Sequence, residues 1–149
     1  MRYLDRMQPL ALLVLRAVLG IIFIAHGYHK LDGHMHEFSG TVAGLGLPGW
    51  LAYVSALSEF LGGILVILGL LTRFASFAIT IDMVVAISKV HWKHGLVGAS
   101  GYEFPLSVAA IAFSLIFLGA GPIALDAVRG SSGGGPSMSY RNSARRKAA

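Results

Sequence analysis

The sequence contains no cysteine and little charge. Without cysteine, the chain cannot form a disulfide framework, use a thiol nucleophile, or hold zinc, haem or an iron–sulfur cluster through a cysteine thiolate. Charged residues make up 13% of its 149 residues, against roughly 25% in ordinary soluble domains. Hydrophobic residues make up 55%, and the mean hydropathy is +0.69. A soluble domain this short could not bury so much apolar side chain. A soluble enzyme with its own nucleotide domain is therefore excluded, and lipid is the expected solvent.

Four apolar stretches account for the hydropathy, and each is long enough to cross a bilayer as a helix of about 20 residues. They are residues 8–27, 49–71, 74–91 and 104–125. In the loop after the first stretch, Phe38, Val42 and Leu45 follow a helical spacing that predicts a short interfacial helix. The predicted fold is all-α, with residues 1–128 forming a polytopic four-transmembrane-helix bundle. Residues 129–149 are predicted to be a flexible, basic, Gly- and Ser-rich cytoplasmic tail.

The basic residues are distributed unevenly between the two sides of the predicted bundle. The N-terminus, the hairpin at Arg73 and the tail carry most of them, whereas the opposite side carries Lys30, Lys89 and Lys93. The positive-inside rule therefore predicts a multi-pass protein of a bacterial inner membrane with both termini in the cytoplasm. In a soluble protein the net charge of +5 would suggest nucleic acid. Here membrane orientation explains the charge, and the predicted partner is the lipid bilayer rather than nucleic acid.

Three charged residues, Arg16, Glu59 and Asp82, fall well inside the apolar stretches. An isolated charge near the bilayer centre is costly, so these side chains are expected to face one another inside the bundle. We expect a buried charge network in which Arg16 is hydrogen-bonded to Glu59, with Asp82 as a second acceptor. Two interpretations stay open. The network either fixes the register between helices or forms a proton or quinone site.

All six histidines fall at the outer side of the predicted bundle. Four residues there, His26, Lys30, His91 and Glu103, are predicted to form an outer polar cluster at the mouth of a pocket. Together with Glu59, the cluster's His26, His91 and Glu103 are the candidates for any proton chemistry, since imidazole titrates near neutral pH. A hydrogen-bonded lid on the bundle is the alternative. The histidine spacings match no strong metal motif, so no metal site is predicted, and a haem held by His26 and His91 is a weaker alternative.

Several motifs, taken in order along the chain, resemble the DoxX family. They are Arg16-x-x-x-Gly20-x-x-Phe23-x-x-His26-Gly27-x-x-Lys30, Gly46-Leu47-Pro48, Glu59-x-x-Gly62-Gly63, Gly69-Leu70-Leu71-Thr72-Arg73, His91, Gly101-Tyr102-Glu103-Phe104-Pro105-Leu106, Gly119-Ala120-Gly121 and Leu125-Asp126-Ala127. The resemblance covers about Leu10–Ala127. Asp82 corresponds to no family motif, and the tail lies outside the match.

The resemblance implies a four-helix membrane protein associated with oxidoreductase systems, because the family is related to a small subunit of a thiosulfate:quinone oxidoreductase. It favours a non-autonomous membrane subunit that anchors or assists a partner oxidoreductase in a redox complex. The alternative is a structural or assembly protein with no redox chemistry of its own. A transporter is less favoured, since the sequence has no inverted repeat or broken helix. No motif binds flavin or an iron–sulfur cluster, so any electron carrier must be a quinone or belong to a partner.

Overall fold

The computed structural model describes residues 6–131, and within that range every regular element is helical. The α-helices are α1 (Gln8–Leu31), α2 (Met35–Gly44), α3 (Leu51–Leu68), α4 (Thr72–Ala86), α5 (Glu103–Leu118) and α6 (Leu125–Ser131). A π-helix (Ile87–His91) and a 3₁₀ turn (Trp92–His94) extend α4 without a break. The prediction of an all-α protein is confirmed. Of the predicted flexible tail, residues 129–131 form the end of α6, and residues 132–149 lie outside the described range.

Three of these helical runs are long and apolar enough to cross a membrane: Gln8–Leu31, Leu51–Leu68 and Thr72–His94. The fourth apolar helix, α5, has only 16 residues. The sequence predicted a helix continuing to Leu125, but α5 ends at Leu118 because Gly119 and Gly121 adopt positive φ angles of 72° and 75°. Residues 119–124 therefore follow as irregular backbone, whose carbonyl groups need partners other than a helix ladder.

The first and third helices lie so close together that their glycines contact backbone directly. A β-carbon on Gly63 would lie 2.8 Å from the carbonyl oxygen of Gly20, and one on Gly27 would lie 2.5 Å from the backbone nitrogen of Phe60. Small residues permit this approach, which is how membrane helices gain contact when no hydrophobic effect drives them together. The antiparallel α1–α3 pair is thus the closest-packed part of the fold, and it sets which residues of the two helices face each other.

Replacing Gly27 with alanine is expected to force α1 and α3 apart. The added methyl group would overlap the backbone of Phe60, and such overpacking costs about 1–3 kcal/mol. Gly40→Ala in α2 is the matched control, because nothing lies within 4 Å of that position. Thermal stability in detergent should fall for Gly27→Ala and stay level or rise slightly for Gly40→Ala. Equal stability of the two variants would contradict this packing.

The two ends of the bundle differ in chemistry. The end at which α1 finishes and α3 begins carries all six histidines, together with α2 and residues 95–102; we call it the histidine end. At the opposite, hairpin end, residues 69–71 connect α3 to α4. There the carboxylate of Asp126 accepts hydrogen bonds from the backbone nitrogens of Leu71 (2.9 Å) and Thr72 (3.1 Å). A carboxylate at a helix N-terminus is stabilising, so Asp126 fixes the chain after α5 onto the start of α4.

Candidate functional site

Among the residues that the structure describes, the most deeply buried charged side chain is Arg16, which is 1% exposed. Its guanidinium donates four hydrogen bonds, all to backbone carbonyl oxygens. Two acceptors are near the end of α3, Val66 (2.9 Å) and Ile67 (2.7 Å), and two are in the irregular segment after α5, Ala120 (2.6 Å) and Ile123 (2.8 Å). Arg16 thus donates hydrogen bonds to two carbonyl groups of residues 119–124, a segment that has no helical hydrogen-bond ladder. Non-helical backbone at membrane depth is tolerated where protein groups satisfy it in this way.

The expected hydrogen bond between Arg16 and Glu59 is absent from the structure, and this part of the prediction is wrong. The tight α1–α3 contact places Arg16 beside Val66 and Ile67. Glu59 lies seven residues before Val66 on α3, which corresponds to about 10 Å along a helix. The predicted network of Arg16, Glu59 and Asp82 is therefore divided between two places. Arg16 binds carbonyl groups toward the hairpin end, whereas the two carboxylates lie nearer the histidine end.

Glu59 is paired instead with Lys30, the last basic residue of α1. The Nζ atom of Lys30 lies 2.8 Å from Oε2 of Glu59, and the two side chains are 22% and 4% exposed. The ammonium group also lies 4.4 Å from the centre of the Phe38 ring in α2, within the range of a cation–π contact. Asp82 of α4 interacts electrostatically with Glu59 and lines the same cavity. The site therefore combines one cation with two carboxylates.

A cavity of about 520 Å³ lies between α2, α3 and α4, with this ion pair in its wall. We call it the apolar cavity because most of its lining is aliphatic or aromatic; examples are Phe38, Val42, Leu47, Val54, Ile81 and Val85. Its polar lining includes Lys30, Glu59 and Asp82, with Lys89 and His91 from the extension of α4. Ligand sites in proteins typically have this combination of size, apolar walls and a few converging polar groups.

A second cavity, of about 400 Å³, lies at the histidine end against α5 and the loop before it. Its lining includes all four residues of the predicted outer polar cluster, His26, Lys30, His91 and Glu103, together with Glu59. We call it the histidine cavity. Nδ1 of His26 lies 2.9 Å from the carbonyl oxygen of Ile22, and Nδ1 of His91 lies 2.8 Å from that of Ser100. A carbonyl oxygen only accepts, so each Nδ1 donates and leaves Nε2 able to take a proton.

Sequence reasoning missed three features of this region. The Lys30–Glu59 pair was missed because Lys30 was assigned only to the outer polar cluster, although its long side chain reaches Glu59 on the neighbouring helix. Phe38 was assigned only to an interfacial helix. The contact of Asp126 with the hairpin was missed because Asp126 was recognised only as part of a family motif. Nothing in the sequence links it to Leu71, more than 50 residues earlier. In the described part of the chain, no three His, Asp or Glu side chains gather closely enough to hold a metal ion.

Comparison with known proteins identifies the class to which this bundle belongs. The sequence profile of the DoxX family matches residues 11–92, and the chain belongs to that family. It is 35% identical over 106 residues to a Bacillus subtilis protein named "Putative oxidoreductase CatD", covering 69% of this chain and 76% of that one. A Haemophilus influenzae protein is 34% identical over 134 residues, covering 85% of this chain and 96% of the relative.

A third relative has a cellular location in its name. The Escherichia coli inner membrane protein YqjF is 32% identical over 73 residues, which is 47% of this chain and 53% of YqjF. No solved structure matches the chain. With its three long apolar helices, the protein is a multi-pass membrane protein of the DoxX family.

Proposed function

We propose that this protein is a membrane subunit of a redox complex and binds a quinone in the apolar cavity. The observation that carries the proposal is the Lys30–Glu59 ion pair, which lies in the wall of a cavity that is otherwise mostly apolar. A quinone needs apolar walls for its ring and tail and a hydrogen-bond donor for a ring oxygen. The ammonium group of Lys30 is such a donor. The relative named as an oxidoreductase supports the redox assignment.

In this proposal the chain is a non-autonomous subunit. No motif in its sequence binds flavin or an iron–sulfur cluster, so the two electrons that reduce a quinone come from a redox cofactor of the partner oxidoreductase. The two protons needed at the ring oxygens come through groups of this chain. Glu59 and Asp82, in the wall of the same cavity, are the acidic groups nearest to such a ligand.

We further propose that the chain crosses the membrane four times. Helix α5 together with residues 119–124 forms the fourth crossing, since Arg16 satisfies carbonyl groups of that irregular segment. Helix α2 lies at the interface and covers the apolar cavity with Phe38 and Val42. The excess of basic residues at the hairpin end and termini supports an orientation with that end in the cytoplasm and the histidine end outside.

Labelling of single introduced cysteines tests this orientation directly, because the natural chain has none. In intact cells, a membrane-impermeant thiol reagent should label Ser100→Cys at the histidine end. It should label Arg73→Cys at the hairpin end only after the membrane is permeabilised. Both positions are exposed in the fold, so a difference in labelling reports sidedness rather than burial. Labelling of Arg73→Cys in intact cells would contradict the orientation.

Purification in mild detergent tests the proposed role in a complex. The expected result is co-purification of a dehydrogenase or another oxidoreductase, with bound quinone in the extract and the absorption spectrum of the partner's cofactor. Recovery of the chain with partners that carry no redox group, and without quinone, would favour a structural or assembly role.

A further inference from the structure

The apolar cavity and the histidine cavity share part of their lining. Five residues line both of them: Lys30, Glu59, Met83, Ala86 and His91. Lys30 and Glu59 are in direct contact at 2.8 Å. The ion pair therefore lies where the two cavities adjoin, and any exchange between them passes beside it.

The two cavities are chemically different on either side of this pair. The histidine cavity is lined by His26, His91 and Glu103, two imidazoles and one carboxyl group that can each carry a proton. The apolar cavity has few polar groups apart from the pair, Asp82, Lys89 and His91. A ligand held there is surrounded mostly by aliphatic side chains, and three of its polar neighbours, Lys30, Glu59 and His91, also line the histidine cavity. A proton that passes from the histidine cavity to such a ligand therefore passes these three groups.

We propose that the Lys30–Glu59 pair is a proton gate between the histidine cavity and the apolar cavity; the proposal rests on the proposed function in taking a quinone as the proton acceptor. Protonated His91 passes the proton on its Nε2 through water in the histidine cavity to the carboxylate of Glu59, so that an N–H bond breaks and an O–H bond forms. As the partner's cofactor supplies electrons to the quinone, neutral Glu59 gives the proton to a ring oxygen and regains its negative charge, while His91 takes up a new proton from water at the histidine end.

Lys30 has a second position to occupy while Glu59 is neutral. Its ammonium group already lies 4.4 Å from the centre of the Phe38 ring, and its side chain is more exposed than that of Glu59. Loss of the Glu59 charge removes the attraction that holds Lys30, and the aromatic ring keeps the ammonium group nearby until the carboxylate is charged again. The gate therefore resets without a net change in the chain.

The charged and titratable groups that line the two cavities around Glu59 come from α1, α4, its π-helical extension and α5, whereas α2 contributes none. They are Lys30 and His26 on α1, Asp82 on α4, Lys89 and His91 on the π-helix, and Glu103 on α5. Asp82 interacts electrostatically with Glu59 and provides a second carboxylate beside it. Lys30 is the cation in direct contact with Glu59, so its movement controls the transfer.

Modification of Glu59 by dicyclohexylcarbodiimide tests the gate without any quinone, because this apolar reagent reacts with carboxyl groups that are protonated. Right-side-out and inverted membrane vesicles containing the full chain are held at different pH values on their two sides. Mass spectrometry of the Glu59 peptide gives the labelling rate. The rate should follow the pH on the histidine side, by up to about tenfold per pH unit, and should not depend on the pH on the hairpin side.

Two variants check the assignment of the label. Glu59→Gln should lose it, and Asp82→Asn should keep it on the Glu59 peptide. A rate that follows the hairpin side, a rate that follows neither side, or no labelling at any pH would overturn the gate. Because the assay contains no quinone, such a failure is separate from failure of the proposed function, which would appear as absence of quinone binding.

Discussion

Arg16→Leu is expected to remove most of the folded protein from the membrane. The substitution leaves four carbonyl groups, those of Val66, Ile67, Ala120 and Ile123, without their donor. Hydrogen bonds to charged groups contribute about 1.5–3 kcal/mol each in soluble proteins, and removing one partner of a buried charged group costs about 3–5 kcal/mol. Folded yield and thermal stability in detergent, measured by size-exclusion chromatography after heating, should both fall sharply.

Two further variants show whether the geometry of Arg16 matters as well as its charge. Arg16→Lys should be intermediate, since an ammonium group cannot reach carbonyl oxygens in two separate segments with a planar fork. Arg73→Leu removes an arginine that is exposed at the hairpin end and should change stability little. If Arg16→Leu were as stable as Arg73→Leu, the role of Arg16 in holding residues 119–124 would be refuted.

The second large effect is expected at the Lys30–Glu59 pair. Lys30→Met leaves a carboxylate that is 4% exposed without its cation, whereas Glu59→Gln leaves a lysine that is 22% exposed. A lysine near the end of a helix can turn its ammonium group to water, so Lys30→Met should be the more destabilising change. Its cost should approach the roughly 3–5 kcal/mol of a broken buried pair. Thermal stability of the purified protein in detergent is the measurement.

The double variant Lys30→Met/Glu59→Gln measures how far the stabilising effects of Lys30 and Glu59 depend on each other. Without either charge, the double variant should be more stable than Lys30→Met alone, because no uncompensated charge is left. Lys89→Met supplies the control: Lys89 also lines the apolar cavity, but it is exposed and its loss should cost little. Additive effects of the two single changes would mean that Lys30 and Glu59 do not depend on each other.

Hydropathy and length are sufficient to predict the long apolar helices from the sequence. The first predicted stretch, residues 8–27, falls within α1, and Phe38 and Val42 lie on a helix as expected from their spacing. The boundary at Leu118 was missed because glycine backbone angles, rather than hydropathy, end α5. The irregular segment that follows is as apolar as a helix and has the same hydropathy signal.

Partners of buried charges were harder to predict than the helices. Arg16 and Glu59 both fall well inside apolar stretches, yet the α1–α3 contact at Gly20 and Gly63 sets them apart along the bundle. The contact between Gly20 and Gly63 sets the register of the two helices, and the sequence of neither helix alone predicts this contact. The acceptors of Arg16 are backbone carbonyl oxygens. A search for pairs of oppositely charged side chains overlooks such acceptors. The apolar cavity likewise depends on the position of α2, which follows from tertiary packing.

Photolabelling with an azido-quinone tests the central claim most directly, namely that a quinone occupies the apolar cavity. With purified protein in detergent, the label should map to peptides of α2, α3 and α4 that line this cavity, and excess unlabelled quinone should compete with it. Ala78→Phe, which fills the cavity, should abolish labelling, whereas Ala25→Phe on the exposed surface of α1 should leave it unchanged. Labelling that is not saturable, or that is equal in the two variants, would contradict the account.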